Sequence, residues 1–249
     1  MSLLEVKDLV KHFGGLVALS DFGFSVRSGE MIGIIGPNGA GKTTVFNCMT
    51  GFITLDSGSV LLGGKRLSGK KPYQIVNEGL TRTWQLVKPF FGMKVVEALQ
   101  VPSFCRRSRT SGGTGRELEE RIVGITETLG LSGQLWEEVD NLNQGELRLL
   151  DIARAMVTNP LILLLDEPFS GLSHKEIGRI SAAVEELNRK GLTIIIIEHR
   201  LRELMKLVER VIVMNFGRNI AEGTPEEVVR DPEVIEAYLG KQGGRIGVA

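Results

Sequence analysis

Residues 36 to 44 read GPNGAGKTT, and they stand between an apolar run, MIGII, and a segment with helical character, TTVFNCMT. That order narrows the fold more than any other feature of the chain. Strand, glycine loop and helix form the arrangement in which backbone N–H groups curl around a phosphate at a helix N-terminus. Gly36, Gly39 and Gly41 allow the curl, and Pro37, Asn38, Ala40 and Thr44 complete the cradle. Lys42 aims a point charge at the β and γ groups of a nucleotide, and Thr43 offers a hydroxyl to Mg2+. The alternative is a plain glycine turn before a helix, which leaves the flanking strand and helix unexplained.

Composition limits what can surround such a loop. A chain of 249 residues with 42% apolar side chains suits one large domain, or one domain with an inserted subdomain. Lys and Arg (30) balance Asp and Glu (30), so no global field draws in nucleic acid or an anionic membrane. Cys48 and Cys105 match no metal spacing and suggest no disulfide framework. The start, MSLLEVKDLV, lacks the pattern of a signal peptide, and no apolar run approaches the roughly 18 residues of a spanning helix. A membrane role is expected only through a partner.

Along the chain, LLEVKDLV, FGFSV and MIGII read as strands, and residues 58 to 67 as a hairpin turning at Gly63-Gly64. From 72 to 136 the pattern is mostly helical (PYQIVNEGL, MKVVEALQV, ELEERIVGITETLG) and resembles an insertion. It is interrupted by RRSRTSGGTGR, with four arginines and no acid over 106 to 116. This run reads as a loop, either simply solvated or touching a partner or lipid headgroups. After residue 145, helices alternate with the strands LILLL, TIIII and VIVM, which argues for a largely parallel sheet covered by helices. From Thr224 onward two short helices, PEEVVR and PEVIEAYLG, each open on proline.

Three further stretches bear on chemistry. LILLLDEP ends a buried strand in two carboxylates: beside a phosphate loop, Asp166 can hold Mg2+ through water and Glu167 can polarise a water for attack on a γ-phosphate, whereas alone the three residues are a turn. TIIII ends in Glu198-His199, at the carboxyl end of a strand where parallel-sheet proteins place ligands, so His199 can reach a γ-phosphate or be an ordinary surface histidine. LNQGE at 142 to 146 opens a helix. Asn143 and Glu146 have capping-box spacing, while Gly145 leaves helix-terminal amides bare for a phosphate; both readings stay open.

Taken in order, the loop 36 to 44, Gln85 after TRTW, LNQGE, LLLDEP, SGLS at 170 to 173 and IIIIEH resemble the ATP-binding subunit of ABC transporters across nearly the whole chain. The resemblance implies an α/β P-loop NTPase of RecA-like type: a mostly parallel sheet core, an N-terminal antiparallel β subdomain and an inserted α-helical subdomain. It implies a single nucleotide-binding domain over 1–249, with a β subdomain at 1–30 and 55–68, an ATPase core with C-terminal helices at 31–54 and 145–249, and a helical subdomain at 86–144. Its cofactors are ATP and Mg2+, the metal being shared by Thr43, Gln85 and Asp166. Glu167, His199 and Gln85 are the catalytic set, Phe13 stacks on adenine or else packs in the core, and Asn143 and Gly145 face ATP across a dimer. Partners are transmembrane permease subunits, a second ATP-binding subunit (itself or a related chain) and, indirectly, a periplasmic or extracellular solute-binding protein. No nucleic acid is expected, and the place of work is the cytoplasmic face of the membrane. GGLVAL, GLTRTWQLVKPF, NFGRNIAEGTPEEV and DPEVIEAYLG are similar to the branched-chain amino acid importer subfamily. A urea or other polar-solute importer, a lipid or lipopolysaccharide exporter and a non-transport member of the family are the alternatives.

The chain also departs from the family pattern. The signature usually reads Leu-Ser-Gly-Gly-Gln, of which only Leu142 and Gly145 remain, and Ser173 stands where many relatives carry Asp or Asn. An Asn143 amide can replace the serine hydroxyl as a phosphate donor, and Glu146 avoids repelling the nucleotide if it turns back to cap Asn143.

Overall fold

In the computed structural model, which describes residues 2–110 and 115–239, strands β1 (Ser2–Phe13) and β2 (Leu16–Arg27) open the chain as an antiparallel hairpin. Alternation puts Leu4 and Val6 of β1 and Phe22, Phe24 and Val26 of β2 in the core. It breaks at Asp8 (φ 50) and Asp21 (φ 55), where the register slips. One extra residue in each strand bends the ribbon and returns Leu9 and Leu19 to the buried face. β3 (Met31–Ile35) is buried at all five positions, the signature of a strand covered on both faces. Helix α1 (Lys42–Met49) follows, then β4 (Ser57–Leu62) and β5 (Lys65–Arg66) around the Gly63-Gly64 turn; the antiparallel sheet runs β2-β1-β4-β5. Burial pushes the Cys48 thiol up to about 11, and both cysteines are unpaired.

The chain forms two compact units, Met1–Pro72 with Ile194–Ala249, and Tyr73–Thr193. The second holds α2 (Pro72–Glu78, whose proline ends the first), β6 (Leu80–Arg82), α3 (Val95–Gln100), α4 (Arg106–Thr110), α5 (Gly115–Thr128), α6 (Gln144–Val157), β7 (Ile162–Asp166) and α7 (His174–Arg189). β6 lies parallel to β7, with Arg82 opposite Leu164. The expectation of a loop over 106 to 116 needs correction at residues 106–110 and 115–116, which are helical; residues 111–114 lie outside those described. Arg107 is a structural anchor, donating through its backbone N–H to Asn77 Oδ1 (3.1 Å) and through Nε to the Asn159 carbonyl (2.6 Å). Ser108 is fully buried against the Val157 carbonyl. Such anchoring depends on residues far along the chain, which local composition does not register.

The chain returns to the first unit through β8 (Thr193–Ile197), α8 (Leu201–Leu207), β9 (Arg210–Asn215), β10 (Arg218–Gly223), α9 (Pro225–Arg230) and α10 (Pro232–Leu239). β3 pairs in parallel with both β8 and β9, and β10 runs antiparallel to β9. β10 has no counterpart in the sequence reading. It is an edge strand with no fully buried position, so it lacks the apolar alternation that marks β1, and its two-residue turn has positive φ at Phe216 (44) and Gly217 (76). Both terminal helices open on proline as expected, α9 behind a Thr224–Glu227 capping box; Gly240 lies outside the described residues. Among the described residues no helix is long and apolar enough to cross a membrane.

Candidate active site

The glycine loop connects β3 to α1 within the first unit. Two of its glycines are required by their surroundings. Gly36 (φ 153) passes so close to β9 that a Cβ would sit 2.2 Å from the Met214 carbonyl oxygen, and Gly41 (φ 105) caps α1 where a Cβ would meet Ala18 O at 2.7 Å. The Gly217 N–H donates to Ala40 O at 2.9 Å, tying the loop to the β9–β10 turn. Lys42 curls over the loop and donates to Gly36 O (2.7 Å) and Pro37 O (3.0 Å), so its ammonium stands at the loop's mouth although the residue is buried. Asn38, Gly39 and Thr43 are exposed, Pro37 and Thr44 half-buried and Ala40 buried.

Phe13 is 46% exposed, with the Lys11 ammonium 5.5 Å from its ring centroid, which removes the core-packing alternative. His199 is exposed; its backbone N–H and that of Arg200 donate to Oε1 of buried Glu198. α10 also comes to the loop, a feature the sequence reading did not connect with it: Glu233 and Glu236 line a cavity of about 490 Å³ together with Pro37, Asn38 and Gly39. The Gly36 N–H faces the phenol oxygen of Tyr238, whose pKa burial raises to about 12 against that bond.

In the second unit, all five residues of β7 are buried and the chain turns sharply at its end: Glu167 has φ 48. A glutamate in the left-handed region costs about 1–2 kcal/mol, and such strain collects where a side chain must point one way. Arg82, at the end of β6, places its guanidinium 2.6 Å from Asp166 Oδ2, with only 5% and 3% of the two side chains exposed. Burial raises the pKa of Asp166 and lowers that of Arg82, each shift opposed by the partner's charge. The same guanidinium lies 4.2 Å from the centre of the Trp84 ring. Three residues on, Gln85 donates from Nε2 to Glu167 Oε2 at 2.8 Å. Residues 82 and 85 thus hold adjacent carboxylates.

Helix α6 grips that segment. Arg148 donates to the carbonyls of Trp84 (2.7 Å) and Gln85 (2.9 Å), Asp151 accepts from the Trp84 N–H (3.2 Å), and Arg154 donates to Lys88 O (3.0 Å) while lying 4.2 Å over Phe90. Spaced three apart, the three side chains share one helix face. The sequence reading names neither these residues nor Arg82. The available signal was a charged stripe on a helix whose other residues read as core, since Arg148 and Asp151 are both buried.

At the start of α6 the capping box is complete: Asn143 Oδ1 accepts from the Glu146 N–H and Glu146 Oε2 from the Asn143 N–H, both at 3.0 Å. The amide of Gly145 is not bare, because Glu176 of α7 lies over it; a Cβ on Gly145 would meet Glu176 Cγ at 2.9 Å. Hydrogen bonds from the Ser173 hydroxyl and amide, with a smaller one from Gly145, hold the Glu176 carboxyl below the usual range. Ser173 itself is the N-cap of α7, which gives its hydroxyl a structural use.

Comparison with known proteins places this geometry. The ABC transporter family model matches residues 19–170, and a model described as a branched-chain amino acid ATP-binding cassette transporter matches residues 218–243. The chain is 40% identical to the high-affinity branched-chain amino acid transport ATP-binding protein LivG of Salmonella typhimurium, covering 96% of this chain and 98% of that one. It is 37% identical, with the same coverage, to the corresponding protein BraF of Pseudomonas aeruginosa. A crystal structure of an ATP-binding cassette of an ABC transporter in its ADP conformation matches with a TM-score of 0.87 at 34% identity, over 97% of this chain and 100% of that one. A glycine loop between a buried strand and a helix, a strand ending in paired carboxylates, and relatives of this identity over nearly its full length lead to one conclusion: the chain belongs to the ATP-binding subunits of ABC transporters, which are nucleotide-binding ATPases.

Proposed function

We propose that this chain is the ATP-hydrolysing subunit powering import of branched-chain amino acids. The match of residues 218–243 carries the solute class, because it falls on β10, α9 and α10, outside the general family match that ends at residue 170. In this reading the loop amides and Lys42 hold the β- and γ-phosphates, and Phe13 stacks on adenine. Glu167 takes the proton of the attacking water, Gln85 and His199 orient the water and γ-phosphate, and Asn143 approaches ATP bound to a second ATP-binding subunit, as Gly145 does once Glu176 gives up its amide.

Thr43, Gln85 and Asp166 would hold Mg2+, whose contribution is to neutralise phosphate charge as the γ-phosphoryl leaves. The fit is chemical: the hydroxyl of Thr43, the amide oxygen of Gln85 and the carboxylate of Asp166 are the oxygen donors that suit this ion. Among the described residues no cluster of three or more His, Cys, Asp or Glu side chains could hold a metal. The chain works at the cytoplasmic face of the membrane, bound to transmembrane permeases that receive solute from a binding protein.

The test is reconstitution with the permease pair and binding protein in vesicles, with leucine uptake measured against ATP. Uptake of leucine, isoleucine and valine is expected. Lys42→Ala should weaken ATP binding by about a hundredfold or more, since it removes the full charge aimed at the phosphates, and should abolish uptake. Transport of urea without leucine would overturn the solute assignment and leave the ATPase assignment standing.

A further inference from the structure

Arg82 has no part in the chemistry proposed above, yet it makes a nearly water-free ion pair with Asp166. A divalent cation arriving at that carboxylate, directly or through water, meets beside Oδ2 a full positive charge that water barely screens. On the reading that Asp166 binds Mg2+, we propose that Arg82 is the resident counter-ion of Asp166, a positioning residue whose charge a divalent cation must overcome. Its effect is selective. A bare cation faces the guanidinium alone and binds weakly, whereas a cation carried by nucleotide arrives with phosphate charge that offsets the repulsion. Arg82 thereby makes the carboxylate answer to metal–nucleotide rather than to free metal. Between encounters it keeps the buried carboxylate aimed.

The molecule contains its own reporter. Trp84 stacks on the same guanidinium at 4.2 Å, and the other tryptophan, Trp136, is 71% exposed and replaceable. In the full chain carrying Trp136→Phe, Trp84 emission should shift on adding MgCl2 to the ADP-saturated protein, and should stay unchanged with MgCl2 alone or with ADP in EDTA. A second measurement titrates MnCl2 without nucleotide and follows free Mn2+ by electron paramagnetic resonance. Arg82→Gln should raise Mn2+ affinity by about tenfold or more, as expected when a buried carboxylate loses its cation, and Arg82→Lys should stay near wild type because the charge remains. Asp166→Asn combined with Arg82→Gln should lose that binding. If the double variant binds Mn2+ as tightly as Arg82→Gln, Asp166 is not a metal ligand and the underlying reading fails. If binding is lost in the double variant while Arg82→Gln binds no better than wild type, the counter-ion idea alone is overturned. An unchanged Trp84 spectrum with MgCl2 and ADP overturns it too, and that arm needs no substitution at Arg82.

Discussion

The glycine loop of the first unit and the carboxylate pair of the second serve the same triphosphate in the proposed reading, but they are built in opposite ways. The loop is local in sequence, nine consecutive residues with a strand before, a helix after and Lys42 bonded to carbonyls five and six residues back, although the backbone at Ala18, Met214 and Gly217 closes against it. The pair is a long-range object. Asp166 depends on Arg82, 84 residues earlier, Glu167 on Gln85, and the backbone of residues 84 and 85 on Arg148 and Asp151. Backbone geometry holds the first and side-chain charges the second. A loop made of main chain tolerates change wherever a side chain points to solvent and fails where a Cβ would enter, whereas a charge network loses function gradually as its members are removed.

The sharpest test of that contrast is Gly36→Ala. The added carbon would lie 2.2 Å from Met214 O, so the loop or β9 must move, at a cost of about 3 kcal/mol. Thermal unfolding should show it, and a melting temperature equal to wild type would mean that the loop is softer than its packing suggests. Next comes Glu167→Gln, which keeps a polar partner for Gln85 and the strained turn, yet should slow hydrolysis by about a hundredfold through loss of the base. Phosphate release with ATP binding measured in parallel decides it; unchanged turnover would move the base role, with His199 the next candidate.

Arg148→Ala probes the network where it meets no substrate. It leaves two carbonyls without their charged donor and should cost about 2 kcal/mol. Hydrogen exchange should quicken over residues 84–88 while the loop at 36–44 is unaffected, and equal acceleration in both would erase the distinction drawn here. The smallest effect belongs to Asn143→Ala, about 1 kcal/mol from the lost cap. Asn143→Ser should recover most of that, because a hydroxyl also caps. Beyond stability, dimer-dependent ATP hydrolysis should fall in Asn143→Ala and persist in Asn143→Ser. Normal hydrolysis in the alanine variant would leave LNQGE as a helix start only.

What the sequence determined by itself was everything whose cause lies within about a turn or a strand of where it is seen. The glycine loop at 36–44 between strand and helix, the buried strands MIGII, LILLL and TIIII, the capping box at Asn143–Glu146 and the proline-opened terminal helices were all readable from neighbours in the chain, and the order of its motifs was enough to indicate the family. Only tertiary structure decided that Arg82 faces Asp166, that α6 holds the Gln85 segment, that Glu176 covers the Gly145 amide and that RRSRT is a helix anchored by Arg107. The physical reason is one of range. Hydrophobic period and turn chemistry act along the chain, but a side chain held by a distant partner is placed by that partner, and in these four cases the partners stand between 31 and 84 residues apart.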